Sequence, residues 1–512
     1  MLVHTGLKCL RLRITRMKKK YILLVSVIYI VLIVSLVPIL YMSQYDFATG
    51  DDLGYGAATH YVWSNTHSII QLFRQVGLTI KDYYYSWQGT WFTIGLMSLQ
   101  PEVFSSDAYC LTPWIMILVT ILATTLMTYT ILVRYLRIQR WAWLSINAMV
   151  LLATIQFFPS TASGIFWFNG GAHYIIPFGI GMLAIWSILQ YHDNGKALHL
   201  VIASISMTCL GGSSYLMPVL MVVILIYMAL FDIFNHKKFN WGMLVPLILE
   251  IIGLIVSYLS PGNKVRGGEG FGISVSNVLY TIAESIKQAM VYVWIYFKEY
   301  PAIYICLIVI GMISFEAFFI ADSDTEESSQ ASFKHPVLFI IAMFGLFASV
   351  FAPGVYVGGD VSGGVPNTIF QVYMLTTTFA IVYLVGWFSK HYIVPHEYIP
   401  KRWLAYILLL CLGIIWCGIR KYTFHEATAV ECIEYINSGQ ADDYLAQMEY
   451  NRTILLDNTV LDCYLCPVSD EQGPLMHMPV TSQPDAFTNM VTRDFYKKNL
   501  VVMDDSLKIS SK

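Results

Sequence analysis

The sequence predicts an all-α, polytopic membrane protein, and three observations support this fold class. Of the 512 residues, 56% are hydrophobic and only 12% are charged, whereas about a quarter of an ordinary soluble domain is charged. The mean hydropathy is +0.59. Apolar runs of about 20 residues, the length that crosses a bilayer core, recur along the chain. This composition excludes disordered proteins, nucleic-acid-binding proteins and disulfide-dense secreted scaffolds.

Eleven such runs precede residue 421 and predict eleven transmembrane helices. Their approximate ranges are 21–42, 111–133, 142–159, 172–190, 197–215, 216–234, 240–260, 302–321, 336–352, 367–388 and 403–420. The first run follows a basic segment, residues 1–20, and is too long for the apolar part of a signal peptide. We therefore expect it to be a membrane anchor, and we expect residues 21–420 to form one transmembrane module.

The Lys and Arg residues in the connections predict the orientation, because basic residues near helix ends resist translocation. With a cytoplasmic N-terminus, the cytoplasmic connections hold 17 Lys and Arg residues and the outer connections before residue 421 hold 6. The odd number of crossings then places residues 421–512 outside. We therefore expect a multi-pass protein whose N-terminus is cytoplasmic and whose C-terminus is extracytoplasmic.

Two long outer segments, residues 43–110 and 261–301, each contain apolar residues at helical spacing. These are Ile69, Leu72, Phe73, Val76 and Ile80 in the first segment, and Val278, Leu279, Ile282, Ile286, Met290 and Val293 in the second. Polar and charged residues occupy the opposite faces. The pattern predicts amphipathic helices that lie in the headgroup plane. They would either fill the outer rim of the protein or frame a lateral opening through which a lipid-linked ligand enters.

The C-terminal tail, residues 421–512, differs in charge from the rest of the chain. It holds 14 Asp and Glu against 7 Lys and Arg, a net charge of −7, while the other 420 residues carry +5. A helical pattern runs from Glu426 to Asn437, and short apolar runs follow at residues 453–456 and 500–503. The sequence therefore predicts a small acidic α/β tail on the extracytoplasmic side.

Two adjacent carboxylates, Asp51 and Asp52, follow the first predicted helix directly. Carboxylates this close to a membrane are costly unless they interact with something. Side chains of neighbouring residues diverge by about 100° on a helix and face opposite ways on a strand. We therefore expect one of the two to meet a substrate and the other to orient a loop or bind a cation. The structural alternative is an acidic helix N-cap after Thr49 and Gly50.

The carboxylate pair is the first of five short strings that follow one another between residues 45 and 270. They are Asp51-Asp52-Leu-Gly-Tyr55, Tyr85-Ser-Trp87-Gln-Gly89-Thr, Trp167-Phe-Asn169-Gly-Gly-Ala-His173-Tyr174-Ile-Ile-Pro177, Gly211-Gly212-Ser-Ser-Tyr215 and Ser260-Pro261-Gly262-Asn263-Lys264-Val-Arg266. With the long first outer loop and the eleven predicted crossings, they resemble the GT-C glycosyltransferases that use polyprenyl-phosphate sugars. The chain is most similar to a bacterial membrane family related to the O-antigen glucosyltransferases.

This resemblance implies an enzyme of the bacterial plasma membrane. It would transfer a sugar from a polyprenyl-phosphate donor to a surface glycan or lipid acceptor, with inversion and without a cofactor, although a divalent cation at Asp51 and Asp52 stays open. One of these two carboxylates would be the general base. Lys264 and Arg266 would bind the donor phosphate; the alternative for both is that they extend to the membrane interface.

The candidate substrate-binding residues are aromatic and polar side chains of the outer segments: Tyr55, Trp87, Trp167, Asn169, His173, Tyr215 and Asn263. Sugar rings stack on aromatic faces, while sugar hydroxyls bond polar side chains. The aromatic belt of membrane proteins is the alternative explanation for the rings. An ordinary interfacial histidine is the alternative for His173.

Two other classes of function stay open, a carrier or flippase for a lipid-linked glycan and a scaffold subunit of an envelope-assembly complex. Charged residues in the middle of helices would favour a carrier, because a pathway for a charged group needs them. Glu250 and Glu316 are the main candidates, and we predict that both lie near helix ends. The sequence contains no Walker A or dinucleotide-binding motif, which leaves ATP-driven transport without support.

Overall fold

The computed structural model is mostly helical, with one small two-stranded sheet, which agrees with the predicted class of a helical membrane protein. It describes residues 2–234, 240–267, 274–324, 333–358, 363–392, 402–469 and 473–509. Within these ranges, seven helical segments are long and apolar enough to cross a membrane: Lys19–Tyr45, Ala108–Tyr135, Phe168–Asn194, Leu216–Phe234, Trp241–Tyr258, Pro301–Phe318 and Val365–Tyr392. Shorter helices cover the other predicted runs. The count of eleven crossings stays a prediction.

The first part of the chain, up to residue 258, forms eleven α-helices. They are α1 (Leu2–Met42), α2 (Asp51–Thr66), α3 (Ile69–Ser86), α4 (Trp91–Met97), α5 (Leu111–Thr128), α6 (Arg140–Gln156), α7 (Phe168–Gly170), α8 (Ile176–Asn194), α9 (Ala197–Gly211), α10 (Leu216–Phe234) and α11 (Leu244–Tyr258). Helix α1 includes the basic segment before residue 21, because that segment holds strong helix formers and no proline. Short π-helical segments flank α7 on both sides.

The second part of the chain continues the bundle and ends in the tail. Its helices are α12 (Gly262–Gly267), α13 (Val275–Glu299), α14 (Pro301–Asp324), α15 (Pro336–Ser349), α16 (Ala352–Val357), α17 (Val365–Tyr392), α18 (Arg402–Ile419), α19 (Thr428–Asn437), α20 (Gln440–Leu456) and α21 (Phe487–Tyr496). Two strands, β1 (Asp462–Leu465) and β2 (Leu500–Met503), pair in parallel.

The tail therefore has the predicted α/β character, with one correction. The apolar run at residues 453–456 is the last turn of α20 and not a strand. Asn451 and Leu455 are four residues apart on the buried face of this helix, so the run is held by helical packing. Strand β2 pairs instead with β1, whose residues are alternately exposed and buried.

The two predicted amphipathic stretches are helices, α3 and α13. Several of their apolar side chains are exposed, among them Phe73 (60%) and Leu279 (62%). The inward-facing residues of α13 include the small or polar Ser285 and Ala289. A helix with exposed apolar side chains suits a lipid environment. Their position in the headgroup plane stays a prediction.

One end of the bundle gathers the outer segments predicted from the sequence, and we call it the site end. A continuous apolar cluster there joins the end of α1, helix α2, the start of α5, the segment between α6 and α8, and the tail. Tail and first loop are also bonded directly: the Tyr45 hydroxyl donates to Asp442 Oδ1 (3.0 Å), and the Met478 N–H donates to Thr49 Oγ1 (3.2 Å). Both segments consequently lie on the same side of any membrane.

Candidate functional site

The two adjacent carboxylates lie in the first turn of α2 and point in different directions. Gly50 is the N-cap of this helix with φ +50°, and Asp51 and Asp52 are its first two residues. The positive end of the helix dipole favours acidic side chains there. Asp52 is 1% exposed, whereas Asp51 is only partly buried. The alternative that an acidic residue is the N-cap is therefore wrong, because Gly50 occupies the N-cap position.

Gly50 is required at the start of α2 for two reasons. Its positive φ strains any residue with a side chain. A Cβ atom at this position would also lie 2.3 Å from the sulfur of Met478 in the tail. The tail thus covers the backbone turn that leads into the carboxylate pair.

Asp52 faces inward, where it joins the first loop to the segment that begins α7. The Tyr109 hydroxyl donates to Asp52 Oδ2 (2.6 Å), and the Asn169 N–H donates to Asp52 Oδ1 (3.1 Å). The same Tyr109 oxygen accepts a hydrogen bond from the Phe168 N–H (3.1 Å). Burial raises the pKa of Asp52 to about 8, although both hydrogen bonds act in the opposite direction.

A third carboxylate, Asp46, lies close to Asp52 and was not among the predicted site residues. It is 4% exposed, and its two oxygens have no hydrogen-bond partner among the residues that the structure describes. Burial, followed by the nearby Asp52, raises its pKa well above the usual value. Asp46 begins the short segment that ends in Asp51 and Asp52. Its position just after the first apolar run was the sequence feature that could have indicated a third site carboxylate.

Arg266, at the end of α12, supplies the positive charge of the site. Its guanidinium donates to Gln88 Oε1 and lies over the ring of Trp87, 5.9 Å from the centroid. It lies close enough to Asp51 that its charge lowers the pKa of that carboxyl, while burial, the larger effect, raises it. Arg266 and Asp51, 215 residues apart in sequence, therefore form the charged part of the candidate site.

The loop between α3 and α4 contacts Arg266 through Trp87 and Gln88. This loop is docked on the end of α11 and the start of α12. Asn263 Oδ1 accepts from the Gly89 N–H (2.9 Å), and its amide nitrogen donates to the Ser257 carbonyl (2.8 Å). A Cβ atom on Gly89 would lie 1.9 Å from that carbonyl oxygen. The geometry therefore gives Asn263 a role in holding two backbones together.

The predicted aromatic and polar residues lie around this charged part. Tyr55 stacks on Tyr83 (4.2 Å between centroids), and its hydroxyl accepts from Gln88 Nε2 (3.2 Å). His173 Nδ1 lies 3.0 Å from Thr93 Oγ1. The Tyr215 hydroxyl and Ser257 Oγ form a hydrogen bond (2.9 Å). The Lys264 side chain is exposed.

Two of the predicted residues, Asn169 and Trp167, have buried polar side-chain atoms without a hydrogen-bond partner among the described residues. Asn169 is 2% exposed, and neither atom of its side-chain amide has a hydrogen-bond partner within the described ranges. The same holds for the indole nitrogen of Trp167. Buried polar groups are normally hydrogen-bonded. Their position beside Asp52 makes them suited to bind the hydroxyl groups of a ligand.

A divalent cation at Asp51 and Asp52 stays an expectation from the sequence. In the part of the chain that the structure describes, no group of three or more His, Cys, Asp and Glu residues is arranged to hold a metal ion.

Glu250 corrects a prediction about charged residues in the bundle. It lies in the middle of α11 and not near a helix end, is fully buried, and its carboxyl oxygens have no hydrogen-bond partner in the described part of the chain. Its backbone lies at the close crossing of α9 and α11, where a Cβ atom on Gly211 would lie 2.5 Å from the Glu250 carbonyl oxygen. Glu316 is in the second half of α14, where its carboxyl accepts from the Tyr406 hydroxyl (3.0 Å).

Comparison with known proteins does not assign a family. The chain matches no protein-family model, and no curated protein is significantly similar to it. The resemblance to the GT-C glycosyltransferases therefore stays a prediction.

Gly89→Ala is expected to destabilise the protein by about 1–3 kcal/mol, because the added methyl group overlaps the Ser257 carbonyl and separates the docked loops. Gly77→Ala is the matched control, since nothing lies within 4 Å of a Cβ atom there and alanine favours a helix interior. Thermal unfolding of the two purified variants in detergent measures the difference. Equal stability of both variants would contradict the docking.

Asp52 is expected to make the protein less stable as the pH rises. Its pKa is about 8 in the folded protein and 3.8 in the unfolded chain, so the folded state holds a proton that the unfolded state releases. Stability is then lost as the pH approaches and passes the folded pKa, by about 2 kcal/mol from about pH 6 to about pH 8.

Asp52→Asn should reduce the loss of stability over this range by about 2 kcal/mol in thermal unfolding, leaving the part that the buried Asp46 contributes, whereas the exposed control Asp82→Asn should leave the loss unchanged. If wild type and Asp52→Asn lose stability in parallel over this range, the buried protonated carboxyl is not the cause.

Proposed function

We propose that this protein is a membrane glycosyltransferase of the GT-C type. It transfers a sugar from a polyprenyl-phosphate donor to a hydroxyl of a surface glycan or glycolipid, at the site end of the bundle. The observation that carries the proposal is that a partly exposed carboxylate, Asp51, lies close enough to Arg266 to feel its positive charge, next to the buried carboxylate of Asp52. A base for the acceptor and a cation for the departing phosphate are what this reaction needs.

Asp51 and Asp52 have different surroundings, and we assign them different roles. Asp51 is accessible enough to receive a proton from an acceptor hydroxyl, and we assign it as the general base. Asp52 is occupied by Tyr109 and the Asn169 N–H. We therefore assign Asp52 as a positioning residue that fixes the first turn of α2.

The reaction is one displacement. The acceptor oxygen attacks the anomeric carbon and its proton moves to Asp51. The bond between that carbon and the phosphate oxygen breaks, and polyprenyl phosphate leaves. One attack from the side opposite the leaving group inverts the anomeric centre.

Arg266 would bind the donor phosphate and stabilise its growing negative charge. Its contacts with Gln88 and Trp87 hold the guanidinium in place before the donor arrives, and a guanidinium binds phosphate oxygens through its planar fork. Lys264, two residues earlier and exposed, would add a second positive charge for the same group.

The sugar ring would contact the aromatic residues around the charges, Tyr55, Trp87, Trp167 and Tyr215, with His173 nearby. Aromatic faces suit the apolar faces of sugars. The unpartnered amide of Asn169 and the indole nitrogen of Trp167 would bond its hydroxyl groups. This use of buried polar atoms would favour one sugar over its epimers.

The orientation in the membrane is part of the proposal. The Lys and Arg distribution supports a cytoplasmic N-terminus in a bacterial plasma membrane. The contacts between tail and first loop require both to be on one side. With the N-terminus inside, that side is extracytoplasmic and faces the polymers of the cell surface.

One observation favours a second candidate function, a carrier for a lipid-linked glycan. Glu250 is buried in mid-helix without a partner among the described residues, and such residues mark pathways for ions or protons in transporters. In this alternative the carboxylates at the site end would bind cargo without chemistry.

The glycosyltransferase proposal predicts the effect of three single substitutions on glycosylation in cells. Asp51→Asn should lower sugar incorporation into the surface polymer by at least about 100-fold, the usual contribution of a general base. Asp52→Asn should also impair it, whereas the exposed control Asp82→Asn should not. Mass analysis of the extracted glycan measures incorporation, and immunoblotting of membranes confirms equal protein levels.

Normal glycosylation in Asp51→Asn and Asp52→Asn cells, with the protein present in the membrane, would reject the enzyme. Glu250→Gln separates the two candidates. A carrier should then fail to expose its lipid-linked cargo, while an enzyme should transfer sugar at the wild-type rate.

A further inference from the structure

The hydrogen bond between His173 and Thr93 indicates which nitrogen of the imidazole carries the hydrogen. His173 Nδ1 lies 3.0 Å from Thr93 Oγ1. Thr93 is fully buried, and its hydroxyl donates to the Thr90 carbonyl (3.1 Å). A hydroxyl has one hydrogen to donate. The Thr93 oxygen can therefore take part in both bonds only if His173 donates to it through Nδ1.

The other ring nitrogen of His173 is then left as a hydrogen-bond acceptor. In a neutral imidazole, one nitrogen donates and the other accepts. Nε2 has no hydrogen-bond partner among the residues that the structure describes, and the side chain is only half-buried. This nitrogen is therefore available to accept a hydrogen bond from a ligand.

Thr93 is fixed at the start of α4, where that helix contacts the end of α9. The Phe92 and Thr93 N–H groups both donate to the Gly212 carbonyl (2.9 and 3.4 Å). A Cβ atom on Gly212 would lie 2.2 Å from the ring of Trp91. The accepting oxygen of Thr93 thus has a defined place.

His173 is fixed from its own side as well. A Cβ atom on Gly171, two residues earlier, would lie 2.2 Å from the sulfur of Met116 in α5. The His173 ring also meets the Tyr174 ring edge to face, with 4.9 Å between the centroids. An acceptor that is held in place before the ligand arrives loses little freedom on binding.

Arg266 connects His173 with the carboxylate of the site. Its charge acts on His173 and Tyr215 as well as on Asp51. A second positive charge beside Arg266 would be repelled, so the neutral form of the imidazole fits this position. A donor whose phosphate is bound by Arg266 carries its sugar directly on that phosphate, within reach of these side chains.

We propose that His173 binds the donor sugar, with Nε2 accepting a hydrogen bond from one sugar hydroxyl while Nδ1 donates to Thr93. This role rests on the proposed glycosyl transfer, in which the proton of the acceptor still moves to Asp51. It makes His173 a specificity-determining residue, because a sugar without a hydroxyl at this position leaves the nitrogen unpaired.

The first test measures the position of the hydrogen by solid-state nitrogen NMR. The full-length protein is isotope-labelled at its histidines and reconstituted in lipid bilayers, and comparison with His173→Asn identifies the His173 signals. Wild type should carry the hydrogen on Nδ1. Thr93→Ser keeps the accepting oxygen and should preserve this state, whereas Thr93→Val lacks that oxygen and should lose it. A hydrogen on Nε2 in wild type, or an unchanged Thr93→Val, would overturn the arrangement.

The second test compares two substitutions that each keep one half of the imidazole. In His173→Asn, the amide nitrogen takes the place of Nδ1 and can donate to Thr93, but nothing replaces Nε2. In His173→Gln, the amide lies near the place of Nε2, where its oxygen can accept from the sugar, and the Thr93 bond is lost. We expect sugar incorporation in cells to fall about tenfold in His173→Asn and less in His173→Gln.

A purely structural role of His173 predicts the opposite order, because only His173→Asn keeps the bond to Thr93. Wild-type incorporation by His173→Asn, or a loss at least as large in His173→Gln, would therefore overturn the proposal, with equal protein levels in immunoblots of membranes. Asp51→Asn separates this result from a failure of the proposed function. Normal glycosylation in Asp51→Asn cells would reject the enzyme itself, whereas impaired Asp51→Asn with normal His173→Asn would reject only the role of His173.

Discussion

The buried carboxyl group of Asp52 is the constraint on which the rest of the site depends. A carboxyl removed from water is costly unless it is hydrogen-bonded, and here Tyr109 and the Asn169 N–H meet that requirement. These bonds join three parts of the chain that are distant in sequence. With Asp52 fixed, the geometry of the helix turns Asp51 away from it, and the charge of Arg266 acts on the Asp51 carboxyl.

A second constraint brings the positive charge to the same place. The backbones around Gly89 and Ser257 approach so closely that no side chain fits between them, and Asn263 bonds both. The tail adds a third element, because it packs on α2 and covers Gly50. The site is thus assembled from loops of one end of the bundle, and the membrane helices act as the scaffold that holds those loops.

The sequence could predict what depends on local pattern. Each of the eleven long apolar runs before residue 421 coincides with a helix, and the divergence of Asp51 and Asp52 follows from adjacency alone. It could not predict Tyr109 as the partner of Asp52, because that contact joins distant segments. Asp46 lies only six residues before Asp52, and its place just after the first apolar run could have indicated it. The predicted run at residues 240–260 already had Glu250 at its centre, so the prediction that Glu250 lies near a helix end did not follow from that run. Its burial depends on the packing of α11 on α9, which the sequence does not show. The run at residues 453–456 was misread because a short apolar stretch fits a strand and a helix end equally well.

The central claim is that Asp51 and Arg266 face one lipid-linked sugar phosphate. The most direct measurement is a cryo-electron microscopy structure of the protein in lipid nanodiscs with a non-hydrolysable polyprenyl-phosphate sugar. We predict that the phosphate lies on the Arg266 guanidinium and the anomeric carbon beside Asp51. A ligand phosphate bound at the opposite end of the bundle, or away from Arg266 with Asp51 facing no ligand, would contradict it.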